Sequence, residues 1–373
     1  MHTRAAIIRE SPGTFEVVDV ELDDPRQGEL KVRMVASGLC HSDDHFQTGD
    51  MPPGHLPLIG GHEGAGVVEE VGPNTPGWDV GDHVVFSFMP SCGRCRFCSE
   101  GMTNLCDLGA YLLIGSRFDA EGSFRFSLPD GTGVGQNCAV GTFAERTVVS
   151  VDSAIKVDKD LPLDKLCLLG CAVGTGMGSA INSAGVRPGD ITIVMGVGGI
   201  GINAVQGAAH AGATATIAVD PVALKRDTAL AMGATHAFTT IAEAAEHARS
   251  MTNGQGADSA IVTPGVVSGQ DVADAFAAIR KGGVVVVTGT TPMDEIGIPV
   301  SLFELTLMQK RIQGSLFGGC NPRADIPRQI DMYRNGQLKL DDLVTKTYRL
   351  DDITKAYDDL RAGLNIRGVV LFD

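Results

Sequence analysis

Four thiols lie within fifteen residues, at Cys92, Cys95, Cys98 and Cys106, with the spacing C-x2-C-x2-C-x7-C. Tight C-x2-C turns bring thiolates to about 2.3 Å from a single Zn²⁺, which takes four such donors tetrahedrally. The expectation is a closed structural zinc lobe over residues 92–106. Iron–sulfur clusters use similar runs, and reduced buried thiols need no metal. The proline that ends the ferredoxin run is absent, since Asp107 follows Cys106. A second set is dispersed: Cys40 opens the segment Cys40-His41-Ser42-Asp43-Asp44-His45, His62 precedes Glu63, and Cys171 follows Gly170. Two thiolates and one imidazole leave a zinc coordination position open, as catalysis requires. Taken singly, each is more ordinarily a packed thiol or a hydrogen-bonded ring, and spacing alone does not bring Cys171 to the other two.

Gly196-Val197-Gly198-Gly199-Ile200-Gly201 follows an apolar run at 191–195 and opens a predicted helix at 200–211. Glycines in such a turn let the backbone approach a pyrophosphate, whose charge suits a helix N-terminus. Asp220 stands 19 residues past Gly201 at the end of the next strand. A carboxylate there accepts from a ribose 2′-OH and repels a 2′-phosphate, which favours NAD over NADP. The plain alternative is a glycine-rich turn with no ligand.

Two kinds of element must position these groups. Between residues 4 and 149, short β-branched runs at 31–35, 66–71, 83–86 and 147–151 are broken by Gly and Pro, the pattern of an irregular β-rich domain. The stretch 107–136 has scattered Gly and no helical period, so no element is assigned to it beyond an excursion beside the lobe. After Gly189-Asp190, strands at 191–195, 216–219, 236–238, 259–262 and 283–288 alternate with helices at 200–211, 224–232 and 271–279. That rhythm predicts an α/β fold with a doubly wound parallel sheet. The tail, 325–373, holds two helical stretches and a closing strand at 369–372.

At 373 residues and 43% hydrophobic content, two domains with their own cores are expected. A net charge of −15 disfavours nucleic acid and anionic membrane surfaces as partners. No apolar run reaches a membrane span and the N-terminus lacks a signal-peptide pattern, so a cytoplasmic protein is expected. Nine cysteines grouped at ligand spacing in a reducing compartment read as metal ligands, not a disulfide frame.

These motifs together resemble the zinc-containing medium-chain alcohol dehydrogenases. The chain carries Gly61-His62-Glu63-x2-Gly66-x5-Gly72, the Cys-x-Ser-Asp-x-His element at Cys40 to His45, the four-cysteine lobe and the dinucleotide fingerprint, in that family's order. It is similar above all to the nicotinoprotein subgroup, the nitroso-dimethylaniline-dependent, mycofactocin-associated enzymes, through Cys106-Asp107-Leu108-Gly109-Ala110, Val219-Asp220-Pro221-Val222 and Gly314-Ser315-Leu316-Phe317-Gly318. The resemblance implies a GroES-like catalytic domain over 1–172 and 316–373 and a Rossmann NAD-binding domain over 173–315. It implies two zinc ions, one structural in the lobe and one catalytic on Cys40, His62 and Cys171, with Glu63 as an occasional extra ligand and Asp43 orienting His62. Ser42 would receive the alcohol proton, and His45 would carry it onward from the cofactor ribose. Thr175 and Val197 would neighbour the cofactor, Lys225 the adenosine ribose, and Arg367 the pyrophosphate. His41 would hold the pyrophosphate less firmly than the arginine of some relatives. Phe88 and Met51 would line the alcohol pocket, with core packing as the alternative.

Ala110 stands where the glutathione-dependent formaldehyde branch places an arginine, which disfavours that branch. The segment 130–141 does not align cleanly with better-known relatives. The implied reaction is oxidation of a primary alcohol to an aldehyde by hydride transfer to NAD. Subgroup membership further implies a tightly bound cofactor recycled by an external carrier of the mycofactocin kind, and the family resemblance implies a homodimer joined near 298–316, with a tetramer as the alternative. The alternatives are an ordinary dehydrogenase that exchanges NAD with solvent, and a non-catalytic zinc- and dinucleotide-binding redox sensor.

Overall fold

The computed structural model describes residues 1–372 and separates the chain into two compact units, Met1–Cys171 with Asn321–Asp373, and Ala172–Cys320. In the first unit, β1 (His2–Ile8) pairs antiparallel with β2 (Glu16–Leu22), and the long β3 (Glu29–Gly38) leads into α1 (His41–Thr48). Then come β4 (Leu58–Ile59), β5 (Glu63–Val71), β6 (His83–Phe86) and the single turn α2 (Arg96–Ser99) inside the cysteine lobe. After them run β7 (Phe126–Ser127), β8 (Gly133–Gln136), β9 (Arg146–Ser150), β10 (Ala154–Val157) and the short α3 (Leu163–Leu166). A closed barrel forms in the order β1-β2-β7-β8-β4, and a sheet in the order β10-β6-β5-β3, with β9 also on β3.

The stretch 107–136, whose sequence has no helical or strand period, has a 3-10 turn at Asp107–Tyr111 and supplies β7 and β8, which close the barrel. Strands of two and four residues are too short to show a period. They are held from outside, by pairing and by a buried ion cluster. Arg125 Nε donates to Glu29 Oε1 at 2.9 Å, Arg117 Nε donates to the same oxygen at 3.2 Å, and Arg117 Nη1 reaches Asp23 at 3.1 Å.

The second unit begins with α4 (Ala172–Gly178), which runs into a π-helical turn at Ser179–Ala184. Strands β11 (Ile191–Met195), β12 (Ala215–Val219), β13 (His236–Phe238), β14 (Ala257–Val262), β15 (Ile279–Val287) and β16 (Arg311–Gly314) form one sheet in the order β13-β12-β11-β14-β15-β16. All its pairings are parallel. Helices α5 (Gly199–His210), α6 (Ala223–Ala231), α7 (Ile241–Met251), α8 (Gly269–Ala278) and α9 (Leu302–Leu307) link the strands. Ile193, Ile217, Val262 and Val285 pack against Ala244, Ala248 and Phe276 in its core. The alanines keep helix and sheet close, and each fully buried Val or Ile side chain contributes about 1.5–3 kcal/mol. Capping boxes at Thr240/Glu243 and Ser268/Asp271 fix the starts of α7 and α8.

The chain then returns to the first unit with α10 (Pro322–Arg334), β17 (Val344–Tyr348), α11 (Ile353–Arg361) and β18 (Arg367–Leu371). β18 pairs antiparallel with β3 and β17 parallel with β18, extending the sheet that carries β5. The boundaries fall at 171/172 and 320/321, against 172/173 and 315/316 from the sequence. Residues 316–320 stay with the second unit because the turn Phe317–Gly319 packs on α4, where a Cβ on Gly174 would lie 2.9 Å from the Phe317 ring. Among the described residues, no single helix is long and apolar enough to cross a membrane.

Candidate active site

Three separate points of the first unit deliver one cluster. Cys40 is the N-cap of α1, His62 and Glu63 sit where the chain enters β5, and Cys171 closes the 3-10 turn Cys167–Gly170. One donor atom from each of Cys40, His62, Glu63 and Cys171 lies within 4.8 Å of the others, and all four residues are buried. Gly61 makes the approach to β5: its φ of +80° favours glycine, and a Cβ there would stand 2.5 Å from Thr142 Oγ1.

The electrostatics ask for a cation. The neighbouring Cys171 thiol, against the opposition of burial, and the His62 ring hold the Cys40 thiol well below its ordinary pKa, while the shared proton pushes Cys171 up. Burial opposes a charge on His62, yet Asp43 and Cys40 raise its pKa well above the ordinary range. The imidazolium thus supplies the positive charge that a dication would otherwise bring. Two sulfurs, one ring nitrogen and a nearby carboxylate fit Zn²⁺, whose preferred donors are these.

His62 is oriented through Nδ1. Asp43 Oδ2 lies 3.1 Å from that nitrogen, and Asp43 Oδ1 accepts from the Gly61 N–H at 2.6 Å and from Asn137 Nδ2 at 2.7 Å. Glu63 is paired with the buried Arg367 guanidinium. Burial opposes the Arg367 charge, but Glu63, Cys40 and Cys171 hold it in place. Ser42 Oγ is 3.6 Å from Cys40 Sγ, and the half-buried Phe88 presents an edge-on ring to His62 at 5.9 Å. His45 is buried, with Nδ1 3.2 Å from Asp50 Oδ2; the Thr48 hydroxyl and this ring hold the Asp50 carboxyl below its usual value. His41 is exposed on the first turn of α1. Met51 is half-buried against the core cluster that contains Phe46 and Tyr357.

The lobe cysteines also converge, with one sulfur each from Cys92, Cys95, Cys98 and Cys106 within 4.8 Å of one another. The turns that achieve this aim amides at sulfur: Cys95 N–H donates to Cys92 Sγ and Cys98 N–H to Cys95 Sγ, both at 3.4 Å. The Asp107 and Cys98 amides bring the Cys95 thiol down to about 7, whereas burial pushes Cys106 up to about 12. A dication is what would make all four thiolates at once.

In the second unit the fingerprint forms the turn from β11 into α5. Gly196 has φ +84°, and Gly198, the N-cap of α5, would carry a Cβ with nothing within 4 Å of it. Open space beside that backbone is what a dinucleotide phosphate needs. Val197 is fully buried, and its N–H donates to Asp220 Oδ2 at 3.1 Å. Asp220 Oδ1 accepts from the Val222 N–H at 2.9 Å, and Lys225 Nζ stands 4.0 Å from Oδ2. Gly199, Ile200 and Gly201 form the first turn of α5. Thr175, on α4, has a buried hydroxyl without a hydrogen-bond partner among the described residues.

Known proteins match along the whole length. Residues 26–159 match the family model of the alcohol dehydrogenase GroES-like domain, and residues 199–335 that of the zinc-binding dehydrogenases. The chain is 51% identical over 371 residues to the NDMA-dependent alcohol dehydrogenase of Amycolatopsis methanolica, covering 100% of this chain and 99% of the relative. It belongs to the zinc-containing medium-chain alcohol dehydrogenases. Within that family, the crystal structure of an alcohol dehydrogenase zinc-binding domain protein from Burkholderia ambifaria superposes with a TM-score of 0.92 at 32% identity, covering 100% of this chain and 99% of the other. Benzyl alcohol dehydrogenase from Acinetobacter calcoaceticus gives 0.90 at 29% identity, covering 100% of both chains. Zinc-dependent dehydrogenase chemistry on alcohols is the family's business, and the two cysteine-containing clusters are consistent with two zinc sites.

Three contacts were not legible in the sequence: Asn137 on Asp43, Asp50 on His45, and Arg367 on Glu63. Asn137 lies in the stretch that the family motifs skip. Asp50 sits five residues beyond His45 with nothing to mark it, and the Arg367 pairing joins residues 304 positions apart.

Proposed function

We propose that this chain oxidises primary alcohols to aldehydes with NAD, that Cys40, His62 and Cys171 hold its catalytic zinc, and that Cys92, Cys95, Cys98 and Cys106 hold a structural one. The convergence of the four buried donor residues carries this reading. Bound there, zinc supplies a Lewis acid that eases removal of an alcohol's hydroxyl proton near neutral pH, and NAD supplies the hydride acceptor. The chain's own residues supply the rest. Asp43, with Oδ2 3.1 Å from His62 Nδ1, would hold the proton on that nitrogen and leave Nε2 to hold the ion. Arg367 neutralises Glu63, which keeps that carboxylate a reserve ligand. Ser42 Oγ receives the hydroxyl proton, and His45, backed by Asp50, hands it to solvent. Phe88 and Met51 shape the apolar side of the alcohol pocket and exclude water.

For the cofactor, Gly196, Val197, Gly198, Gly199, Ile200 and Gly201 form the pyrophosphate turn. Asp220 takes the adenosine ribose hydroxyls with Lys225 beside it, Thr175 lies at the nicotinamide end, and His41 and Arg367 offer positive charge to the phosphates. The division into two compact units supports a GroES-like catalytic domain and a Rossmann cofactor domain. The 51% identity to an NDMA-dependent enzyme supports a nicotinoprotein, in which NAD stays bound and a mycofactocin-like carrier reoxidises it. A cytoplasmic homodimer is the expected state. Denaturing the protein as purified and assaying the supernatant for NAD(H) tests whether the cofactor stays bound, about one equivalent per chain being expected for a cofactor retained at nanomolar affinity. An empty supernatant with full turnover on added NAD makes it an ordinary exchanging dehydrogenase. Bound metal and cofactor with no turnover across a panel of alcohols makes it a sensor.

A further inference from the structure

The end of the segment 130–141 reaches the metal cluster. Asn137 is 3% exposed, and its Nδ2 donates to Asp43 Oδ1 at 2.7 Å while standing 3.2 Å from His62 Nδ1. Its Oδ1 accepts the Cys138 thiol at 3.3 Å. A carboxylate on one side and a thiol donor on the other fix which way the amide points. With Asn137 and the Gly61 N–H both on Asp43 Oδ1, the carboxylate plane is set and Oδ2 is turned to His62 Nδ1 at 3.1 Å. In the tautomer that would present the Nε2 lone pair to the ion, Nδ1 carries the proton, and Asp43 Oδ2, 3.1 Å away and otherwise without a hydrogen-bond partner among the described residues, is the acceptor beside it.

The backbone that delivers Asn137 is strained. Cys138 and Ala139 follow with φ of 53° and 57°, two successive non-glycine residues in the left-handed region, each costing about 1–2 kcal/mol. Such strain persists only where the surroundings over-determine it, and it concentrates at functional sites. The surroundings here are buried donors: Arg125 Nη1 on Ala139 O at 3.4 Å, Gln136 Nε2 on Val140 O at 3.2 Å, and Thr147 Oγ1 on Val140 O at 2.7 Å. The same Arg125 ties the chain entering β7 to the start of β3 through Glu29.

We infer that Asn137 is a positioning residue of the buried metal site: its amide locks the Asp43 carboxylate and, through it, the ring orientation and tautomer of His62. This rests on the reading of Cys40, His62 and Cys171 as the zinc site. The test uses the full-length enzyme with cobalt loaded at the buried site and zinc kept in the lobe. Asn137→Ala and the isosteric, donorless Asn137→Leu are compared with wild type by chelator competition and by the cobalt ligand-field spectrum. Both variants are expected to bind the buried ion about 10–100-fold more weakly, with shifted ligand-field bands, while the lobe ion stays bound. Should Asn137→Ala fail to fold, Asn137→Leu, which keeps the volume, carries the test alone. Wild-type affinity and spectrum in Asn137→Leu would show that the side chain only fills space and would overturn the inference. A wild-type enzyme that takes no ion at the buried cluster would instead defeat the zinc-site reading itself.

Discussion

Both carboxylate oxygens of Asp220 already accept amides of the surrounding turns, from Val197 and Val222, yet each oxygen has a second lone pair for a ribose hydroxyl. In the proposed cofactor site the same negative charge would face a 2′-phosphate, and like charges a few ångströms apart at a partly screened site repel by about 3–4 kcal/mol. Asp220→Asn keeps one acceptor oxygen for the turn and removes the repulsion. The ratio of NADPH to NADH affinity, read by cofactor fluorescence, is expected to rise at least about tenfold, a change of about 1.4 kcal/mol. An unchanged ratio would remove Asp220 from cofactor selection. At this scale the sequence is legible where one short segment carries both a residue and its motif, as at Cys40 to His45 and Gly196 to Gly201. It is silent where a contact is made by folding alone. Asn137 gains its meaning only when β8 brings it to α1, and nothing in Gln136-Asn137-Cys138 announces that.

Five of the six strands of the parallel sheet are readable as elements, the inner ones because burial on both faces makes them continuous apolar runs such as Ile191–Met195. The edge strand β16, Arg311–Gly314, is mostly exposed, carries no such run and is not readable. Strands β7 and β8 are not readable either, because their support is ionic. Glu29 sits between Arg117 and Arg125, all three nearly inaccessible to solvent. Removing this anion leaves Arg125 without its ion-pair partner and Arg117 with only the exposed Asp23, so Glu29→Gln is expected to cost about 3–5 kcal/mol. The pH dependence follows from the carboxyl. Burial pushes Glu29 up, but Arg125, the Arg26 amide and Arg117 outweigh it and its folded pKa is lowered. A lowered pKa contributes stability that is fully present above the unfolded value, about 4.3. That contribution is lost as pH falls through the folded value. Urea unfolding of wild type and Glu29→Gln should show the full gap near pH 6 and a shrinking gap below about pH 4.3. A gap constant with pH would mean that the cluster is held by packing and not by its charge.

On the molecular scale, the second unit leaves apolar side chains uncovered around its edge strand β16. Ile296, Leu302, Phe303 and Leu307 are 91%, 74%, 66% and 63% exposed, on and before α9. An unpaired strand edge beside such a patch is a natural site for a second copy, in line with the homodimer proposed above. Sedimentation should therefore report twice the 39.0 kDa chain mass, and Leu302→Glu with Phe303→Glu should return it to one chain. A wild-type mass of one chain would contradict the dimer without touching the chemistry. The chemistry has a more direct test, in which zinc content and alcohol turnover are measured on one sample of Cys171→Ala, beside Cys95→Ala as the lobe counterpart. The buried cluster predicts one zinc per chain instead of two for Cys171→Ala, the lobe ion remaining, with alcohol turnover reduced by about three orders of magnitude or more, a barrier increase of about 4 kcal/mol. Two zincs retained, or turnover close to that of wild type, would contradict a catalytic ion held by Cys40, His62 and Cys171.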